Sequence, residues 1–118
     1  MKTTLTPEQS ATLIAKGISA DKASEIKEYD DEVSQWTHRG TPIFTLADIC
    51  DLLPKELMID GVTYYLNMLC METWVANYIN AVGNDYVTGI LYSTTELIDA
   101  LYNLLLWCLD NNLIKPTE

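Results

Sequence analysis

The sequence predicts an α+β domain: N-terminal helices, a short docking helix, a small antiparallel sheet of two or three strands, and a long C-terminal helix packed on that sheet. Apolar residues recur every three or four positions near both ends of the chain, which is typical of one-sided helices. They alternate every second position within 62–92, which is typical of strands. With 118 residues, 48% of them hydrophobic, the chain 1–118 is expected to be a single domain with its own core.

The N-terminal helices are predicted within residues 1–36, and the first has clear boundaries. Thr6 can cap it, Pro7 suits its first position, and Gln9 stands where a capping box places its second member. Gly17 is expected to end it. The result is a helix of about three turns.

A second N-terminal helix is predicted to start at Ser19 and to run to Trp36. Its apolar positions, three or four residues apart, are Ala23, Ile26, Tyr29, Val33 and Trp36. The acidic run at 30–32 is expected to be a solvated face, or else a break between two shorter helices. The Gly and Pro in residues 37–42 predict a loop after it.

A short helix is predicted over residues 45–53. Thr45 and Asp48 mark its start, and Pro54 halts it. Its buried side is expected to consist of Leu46, Ile49, Leu52 and Leu53. A helix of about two turns is unstable alone, so it must lie on another element.

The region 62–92 is predicted to be a small antiparallel meander. Aromatic and β-branched residues alternate along 62–68 and again along 73–78, after a turn signal at Asp60 and Gly61. A turn near 69–72 would join these two strands, and 86–92 would form a third. Because that turn is poor in glycine, a long helix over 68–79 is the competing interpretation.

The C-terminal helix is predicted over 94–111, with Ser93 and Glu96 as its capping box. At 100° per residue its apolar face spans about 160°. That face comprises Leu97, Ile98, Leu101, Tyr102, Leu104, Leu105, Cys108 and Leu109. Leu106 and Trp107 fall outside it. Either the N-terminal helices cover them or they belong to an interface, where Trp is enriched.

Charge and cysteine content limit the classes of partner and compartment. The net charge is −10, and no basic residue lies between Lys55 and Lys115, so direct nucleic-acid binding is not expected. Cys50, Cys70 and Cys108 show no metal-ligand spacing and lie among apolar residues, which predicts buried, reduced thiols. The absence of a signal peptide or a membrane-length apolar run predicts a cytoplasmic protein that does not contact membranes.

No pattern of catalytic residues is present in the sequence. His38 lies in a loop without a nucleophile motif, and the five glycines form no phosphate-binding pattern. The carboxylates Asp48 and Asp51 are spaced to share a helix face, for which solvation is the simpler interpretation than metal binding. We therefore expect no catalytic, cofactor-binding or metal site and no cofactor.

Three segments carry a resemblance to a known group of proteins: FTLADICDLLPKEL, YYLNM and ELIDALYNLLLWCLDNN. Over roughly residues 42–112 the chain resembles small uncharacterised proteins of phages and prophages of gut Bacteroidales. The shared residues are packing motifs. The resemblance implies an origin in a mobile element and carries no activity or functional residue with it.

These observations favour a non-enzymatic, acidic protein-interaction module. Its expected partner is a protein, either a second copy of the chain in a homodimer or a different protein. The candidate interface residues are Trp107, Leu106 and Trp36, because the local pattern explains their burial least. The alternative is an acidic decoy or inhibitor that binds a basic host nucleic-acid enzyme.

Overall fold

A computed structural model describes residues 2–27, 41–70, 72–80 and 92–114, and the fold is α+β as predicted. The helices within these residues are α1 (Pro7–Ala15), α2 (Leu46–Leu52) and α3 (Leu97–Asp110). The strands are β1 (Glu25–Lys27), β2 (Thr41–Ile43), β3 (Glu56–Ile59), β4 (Val62–Cys70), β5 (Trp74–Asn80) and β6 (Tyr92–Thr94). β1 and β2 form an antiparallel pair, and β3 to β6 form an antiparallel sheet in chain order.

Helix α1 begins and ends where the sequence predicts. The Thr6 hydroxyl accepts a hydrogen bond from the Gln9 backbone N–H at 3.1 Å, and the Gln9 side chain accepts one from the Thr6 N–H at 3.0 Å. This capping box satisfies two N–H groups that a helix start would leave unpaired. Pro7 occupies the first helical position. The chain leaves the helix through Gly17, whose φ of 106° suits glycine.

The prediction of a second N-terminal helix is wrong for residues 19–27, the part of it that the structure describes. Ser19 caps a single 3₁₀ turn, Ala20–Lys22, and the chain then enters strand β1, which pairs with β2. The rest of the predicted helix, from 28 to Trp36, lies outside the described residues.

Helix α2 begins at the predicted start, where Thr45 and Asp48 form a capping box, and Asp48 has a second role. The Asp48 carboxylate accepts the Thr45 backbone N–H at 2.9 Å, while the Thr45 hydroxyl accepts the Asp48 N–H at 3.2 Å. The same carboxylate accepts the Ser24 backbone N–H at 2.8 Å and a hydrogen bond from the Ser24 hydroxyl. Asp48 thereby holds Ser24 beside α2, and this contact between distant residues favours the extended chain of β1 over a continued helix.

Strands β4 and β5 confirm the two strands predicted from period-two alternation, and the competing helix over 68–79 is wrong. Their register places Leu66 opposite Tyr78 and Met68 opposite Ala76. The predicted third strand, 86–92, lies almost entirely outside the described residues. Only its last member, Tyr92, is described, and it begins β6 opposite Ala76.

Strand β3 is an element that the sequence reading missed. It pairs with β4 through the two-residue turn at Asp60 and Gly61, whose φ values are 53° and 79°. Two consecutive positive φ values are what a type I′ hairpin turn requires, and Asp-Gly is among its preferred sequences. The turn signal was recognised, but the segment Glu56–Ile59 is too short to show an alternation of its own.

The predicted start of the C-terminal helix is wrong by about one turn. Ser93 and Thr94 belong to β6, and α3 begins after Glu96, which makes no side-chain cap. The Glu96 carboxylate instead accepts the backbone N–H of Lys2 at 2.9 Å. Ser93 pairs within a strand and Glu96 binds Lys2, so neither residue is available to form the predicted capping box.

Helix α3 packs on the sheet and supplies eight of the seventeen residues of the buried core cluster. Its buried residues are Ile98, Ala100, Leu101, Tyr102, Leu104, Leu105, Cys108 and Leu109. The predicted apolar face is therefore confirmed, with Leu97 at its start only half-buried. Ala76 and Tyr78 of β5 face this helix and are fully buried. The Tyr78 hydroxyl donates to the Pro54 carbonyl at 2.8 Å, which ties the sheet to the end of α2.

Candidate protein-binding surface

The predicted interface residues Leu106 and Trp107 lie side by side on α3, and both are half-buried. Each packs against the buried core while keeping part of its surface exposed. Trp36, the third candidate, lies outside the described residues. The role of all three in binding a partner stays a prediction.

The polar stripe of α3 is held by lysines from the N-terminal segment. Asp99 pairs with the Lys2 ammonium at 2.8 Å and accepts the Gln9 amide at 3.0 Å. Farther along the helix, Asp110 pairs with Lys16 at 2.6 Å. Two acidic side chains of α3 thus have lysine partners within the chain, and the net charge of −10 already counts those lysines.

The pKa of Asp99 reflects these contacts. Partial burial raises the pKa, but the hydrogen bonds from Lys2 and Gln9 and the charge of Lys2 outweigh it and hold the pKa below its ordinary value of 3.8. Asp99 is therefore a structural carboxylate in its ionised form, not a proton donor near neutral pH.

The carboxylates Asp48 and Asp51 do not share one solvated face. Asp51 is exposed, whereas Asp48 is only 8% exposed. The Asp48 carboxylate accepts hydrogen bonds from Ser24 and Thr45. Burial raises the pKa of Asp48, but the hydrogen bonds from Ser24 and Thr45 lower it by more, so its pKa lies below the ordinary value. Solvation was the wrong expectation for Asp48, because the sequence does not show its contact with Ser24.

A shallow cleft of about 400 Å³ lies beside α2. It is lined by Thr3, Thr4, Glu25, Thr45, Leu46 and Ala47. Among the described residues of this lining, Glu25 is the one ionisable group, so they supply no pair of groups for acid–base chemistry. Among the described residues, no three His, Cys, Asp or Glu side chains converge as a metal site would require.

The three cysteines occupy different environments. Cys108 is buried, and burial raises the pKa of its thiol to about 11, although the nearby Tyr78 hydroxyl lowers it. Burial also raises the pKa of the half-buried Cys50. Cys70 is exposed at the end of β4, so burial was the wrong expectation for this residue. Met68 and Leu69, which precede it, are themselves exposed, as described next.

The sheet has a second face, turned away from α3, which we call the outer face. Strand pairing assigns to it Glu56, Met58, Thr63, Tyr65, Asn67, Leu69, Val75, Asn77 and Ile79. It is mostly apolar. Its polar centre is internally satisfied, because the Asn67 amide donates to the Asn77 side-chain oxygen at 3.0 Å.

Exposure on the outer face rises strand by strand towards the edge. On β5, Asn77 is 5% exposed, with Val75 and Ile79 half-buried. On β4, Tyr65 is 44% and Leu69 is 49% exposed, and on the edge strand Met58 reaches 73%. We call Met58, Tyr65 and Leu69 the outer patch. It is the open half of an apolar face whose other half is covered.

The large exposed apolar side chains are concentrated in the hairpin formed by β3 and β4. In the part of the chain that the structure describes, they are Met58, Val62, Tyr65, Met68 and Leu69. Val62 and Met68 belong to the α3 side of the sheet, near the two ends of β4. Clustered exposed apolar residues of this kind mark interaction surfaces more often than scattered ones do.

Acidic side chains surround the outer patch. Glu56 lies opposite Tyr65 on the edge strand, Asp60 lies in the turn beside Met58, and Glu72 lies in the connection between β4 and β5. All three are exposed, and Lys55 is the single basic residue between positions 55 and 80. Three carboxylates and one ammonium leave a local net charge of −2.

The outer patch was missed in the sequence, although a signal for it was present. A strand with one solvated face alternates apolar with polar residues. In β4 both alternating sets contain large apolar side chains, since Tyr65 and Leu69 stand between Tyr64, Leu66 and Met68. A strand that is apolar on both sides predicts a second covering layer, from the chain itself or from a partner.

Comparison with known proteins adds no relative. No family model, curated protein or solved structure matches this chain. Within the described residues, no helix combines the length and apolar character needed to cross a bilayer.

Proposed function

We propose that this protein is a non-enzymatic interaction module that binds a protein partner through the outer patch. The observation that carries the proposal is the concentration of exposed apolar side chains on a single hairpin, with Met58 at 73%, Leu69 at 49% and Tyr65 at 44% exposure. Leaving such groups in water costs free energy that a partner would recover on covering them.

The outer patch and the predicted residues on α3 differ as candidate interfaces. Leu106 and Trp107 already pack against the core, so a partner would gain only their remaining exposed surface. Tyr65 and Leu69 are more exposed, and they offer a large aromatic and an aliphatic anchor on strand β4. We therefore place the outer patch first and the α3 pair second.

The acidic decoy remains the second candidate function. Its basis is the net charge of −10. Against it, Asp99 and Asp110 already have Lys2 and Lys16 as partners, so these two carboxylates are not free to bind a basic enzyme. The origin in a mobile element and the cytoplasmic setting belong to the same proposal. Phage genes flanking the coding sequence would support the first, and fractionation of cells that make the protein would test the second.

The proposal is tested by separating folding from surface chemistry. The double variant Tyr65→Ser/Leu69→Ser is expected to unfold in urea with a free energy within about 1 kcal/mol of the parent chain, since surface substitutions act weakly. Leu57→Ser, at a buried position on β3, serves as the matched core control and is expected to lose about 2 kcal/mol or more.

A loss of similar size in the double variant would overturn the proposal. It would mean that Tyr65 and Leu69 are required for folding, so the outer patch would be part of the core rather than a binding surface.

A further inference from the structure

We infer that the partner segment on the outer patch is a basic amphipathic helix of another protein. This inference rests on the proposed function and adds the chemistry of the occupant. Three properties of the outer face support this inference: its incomplete covering layer, the length of the exposed strip, and the charge around the outer patch.

In this architecture, a helix can form the layer that covers an apolar sheet face. An apolar sheet face in an α+β domain is covered by a packed helix or by another sheet. On the opposite face α3 does this with a run of 14 residues. On the outer face the cover is incomplete, since exposure climbs from 5% at Asn77 to 73% at Met58.

The length of the open strip fits a helix of ordinary size. From Thr63, beside Met58, to Leu69 the strand advances six residues, which is about 20 Å at 3.4 Å per residue. A helix covers the same distance in roughly 13 residues. Three to four apolar side chains at helical spacing would then meet Met58, Tyr65 and Leu69.

The negative charge around the outer patch indicates which residues should flank the apolar stripe of that helix. Glu56, Asp60 and Glu72 lie in or next to the strands that form the patch, and Lys55 is the one basic residue between positions 55 and 80 of the sequence. Lysine or arginine beside the apolar stripe of the partner would pair with these carboxylates and raise the rate of encounter. A second copy of the chain would bring the same three carboxylates and its own charge of −10 against them, so self-association through this patch is disfavoured.

The test uses a designed peptide as a probe. A fluorescently labelled peptide of about 15 residues, built from Leu and Lys with the leucines on one helical face, is titrated with the full chain and followed by anisotropy. Two control peptides are used: one of the same composition with the leucines scattered, and one with Glu in place of Lys. Saturable 1:1 binding of the first peptide, with at least about tenfold weaker binding of both controls, is expected.

Two neighbouring residues give a matched pair of variants. Leu69 and Met68 are 49% and 42% exposed but lie on opposite faces of the sheet. Leu69→Ser is expected to weaken peptide binding about tenfold and Met68→Ser by less than about twofold. Equal effects of the two substitutions would overturn the inference, because binding would then not depend on the outer face.

A second pair isolates the charge. Glu56→Gln/Asp60→Asn is expected to weaken binding and to flatten its dependence on salt between about 50 and 300 mM, since exposed charges are screened over this range. Glu8→Gln, an exposed carboxylate on α1, should leave both unchanged. Equal binding of the Glu peptide, or no dependence on these two residues, would overturn the basic character of the partner.

Light scattering over a concentration series distinguishes the remaining outcome. A molar mass that doubles with concentration, and stays single in Leu69→Ser, would show that the occupant is a second copy. That result would overturn this inference and leave the proposed function standing. Failure of the Tyr65→Ser/Leu69→Ser chain to fold would overturn both.

Discussion

Helix α3 and the β3–β4 hairpin are both rich in large apolar residues, yet they place them differently. In α3 the side chains of Leu101, Leu104 and Leu105 are fully buried, and the lysines at positions 2 and 16 pair with acids of its polar stripe. The hairpin exposes Met58, Tyr65 and Leu69 beside carboxylates that make no ion pair with the described residues. The apolar side chains of α3 serve the fold, whereas those of the hairpin remain exposed and could contact the partner that we propose.

The largest expected effect is the loss of stability when a buried residue of α3 is truncated. Its absence would contradict the contrast between α3 and the hairpin. Leu105→Ala removes a fully buried side chain from α3 and should lower the free energy of unfolding by about 2–5 kcal/mol, through lost burial and the cavity left behind. Met58→Ala, at 73% exposure on β3, should change it by no more than about 0.5 kcal/mol. Urea denaturation of both variants measures the difference. Comparable losses would show that the hairpin is as much a part of the core as α3.

An intermediate effect is expected for the half-buried pair on α3. Trp107→Ala and Leu106→Ala should each cost about 1–3 kcal/mol of unfolding free energy, because both side chains pack on the core but keep exposed surface. The same denaturation experiment measures this. If both variants were as stable as the parent chain, the contacts of these residues with the core would be unimportant, and their role as an interface would become the stronger prediction.

The smallest effect is the dependence of stability on pH through Asp99. The folded-state pKa of Asp99 lies below its ordinary value of 3.8, so on acidification the unfolded chain takes up a proton on this group first. The stability that Asp99 contributes is therefore present at neutral pH and is lost as the pH falls below about 4.

Thermal unfolding at a series of pH values between about 3 and 7 measures this contribution. Asp99→Asn should reduce the acid-induced loss, and Lys2→Met should reduce it by less, because the Gln9 hydrogen bond to Asp99 remains. An unchanged profile in Asp99→Asn would show that the Lys2–Asp99 pair does not stabilise the fold.

Local signals in the sequence predicted the elements that depend on nearby residues. The capping boxes at Thr6 and Thr45, the alternation in β4 and β5, and the apolar face of α3 are each determined within about one turn of helix or one strand. The α+β class follows from these elements together.

The errors arose where a distant residue decides the local structure. Asp48 holds Ser24, which lies 24 positions away, and Lys2 takes the Glu96 carboxylate from the start of α3 across 94 positions. No periodicity reports such contacts. The outer patch escapes prediction for a different reason: alternation along β4 indicates a strand, but it does not show whether the chain covers the second apolar face.

The bonds between the N-terminal segment and α3 have a consequence for synthesis on the ribosome. Gln9 and Lys2 meet Asp99 across 90 and 97 positions of sequence, and Lys16 meets Asp110 across 94. At 5–20 residues per second, roughly 5 to 18 s pass between the making of α1 and the making of its partner helix. During that interval Lys2, Gln9 and Lys16 lack the Asp99 and Asp110 side chains that they bind in the folded chain. These bonds form only once the last helix has been made, and that helix also brings eight residues to the core cluster.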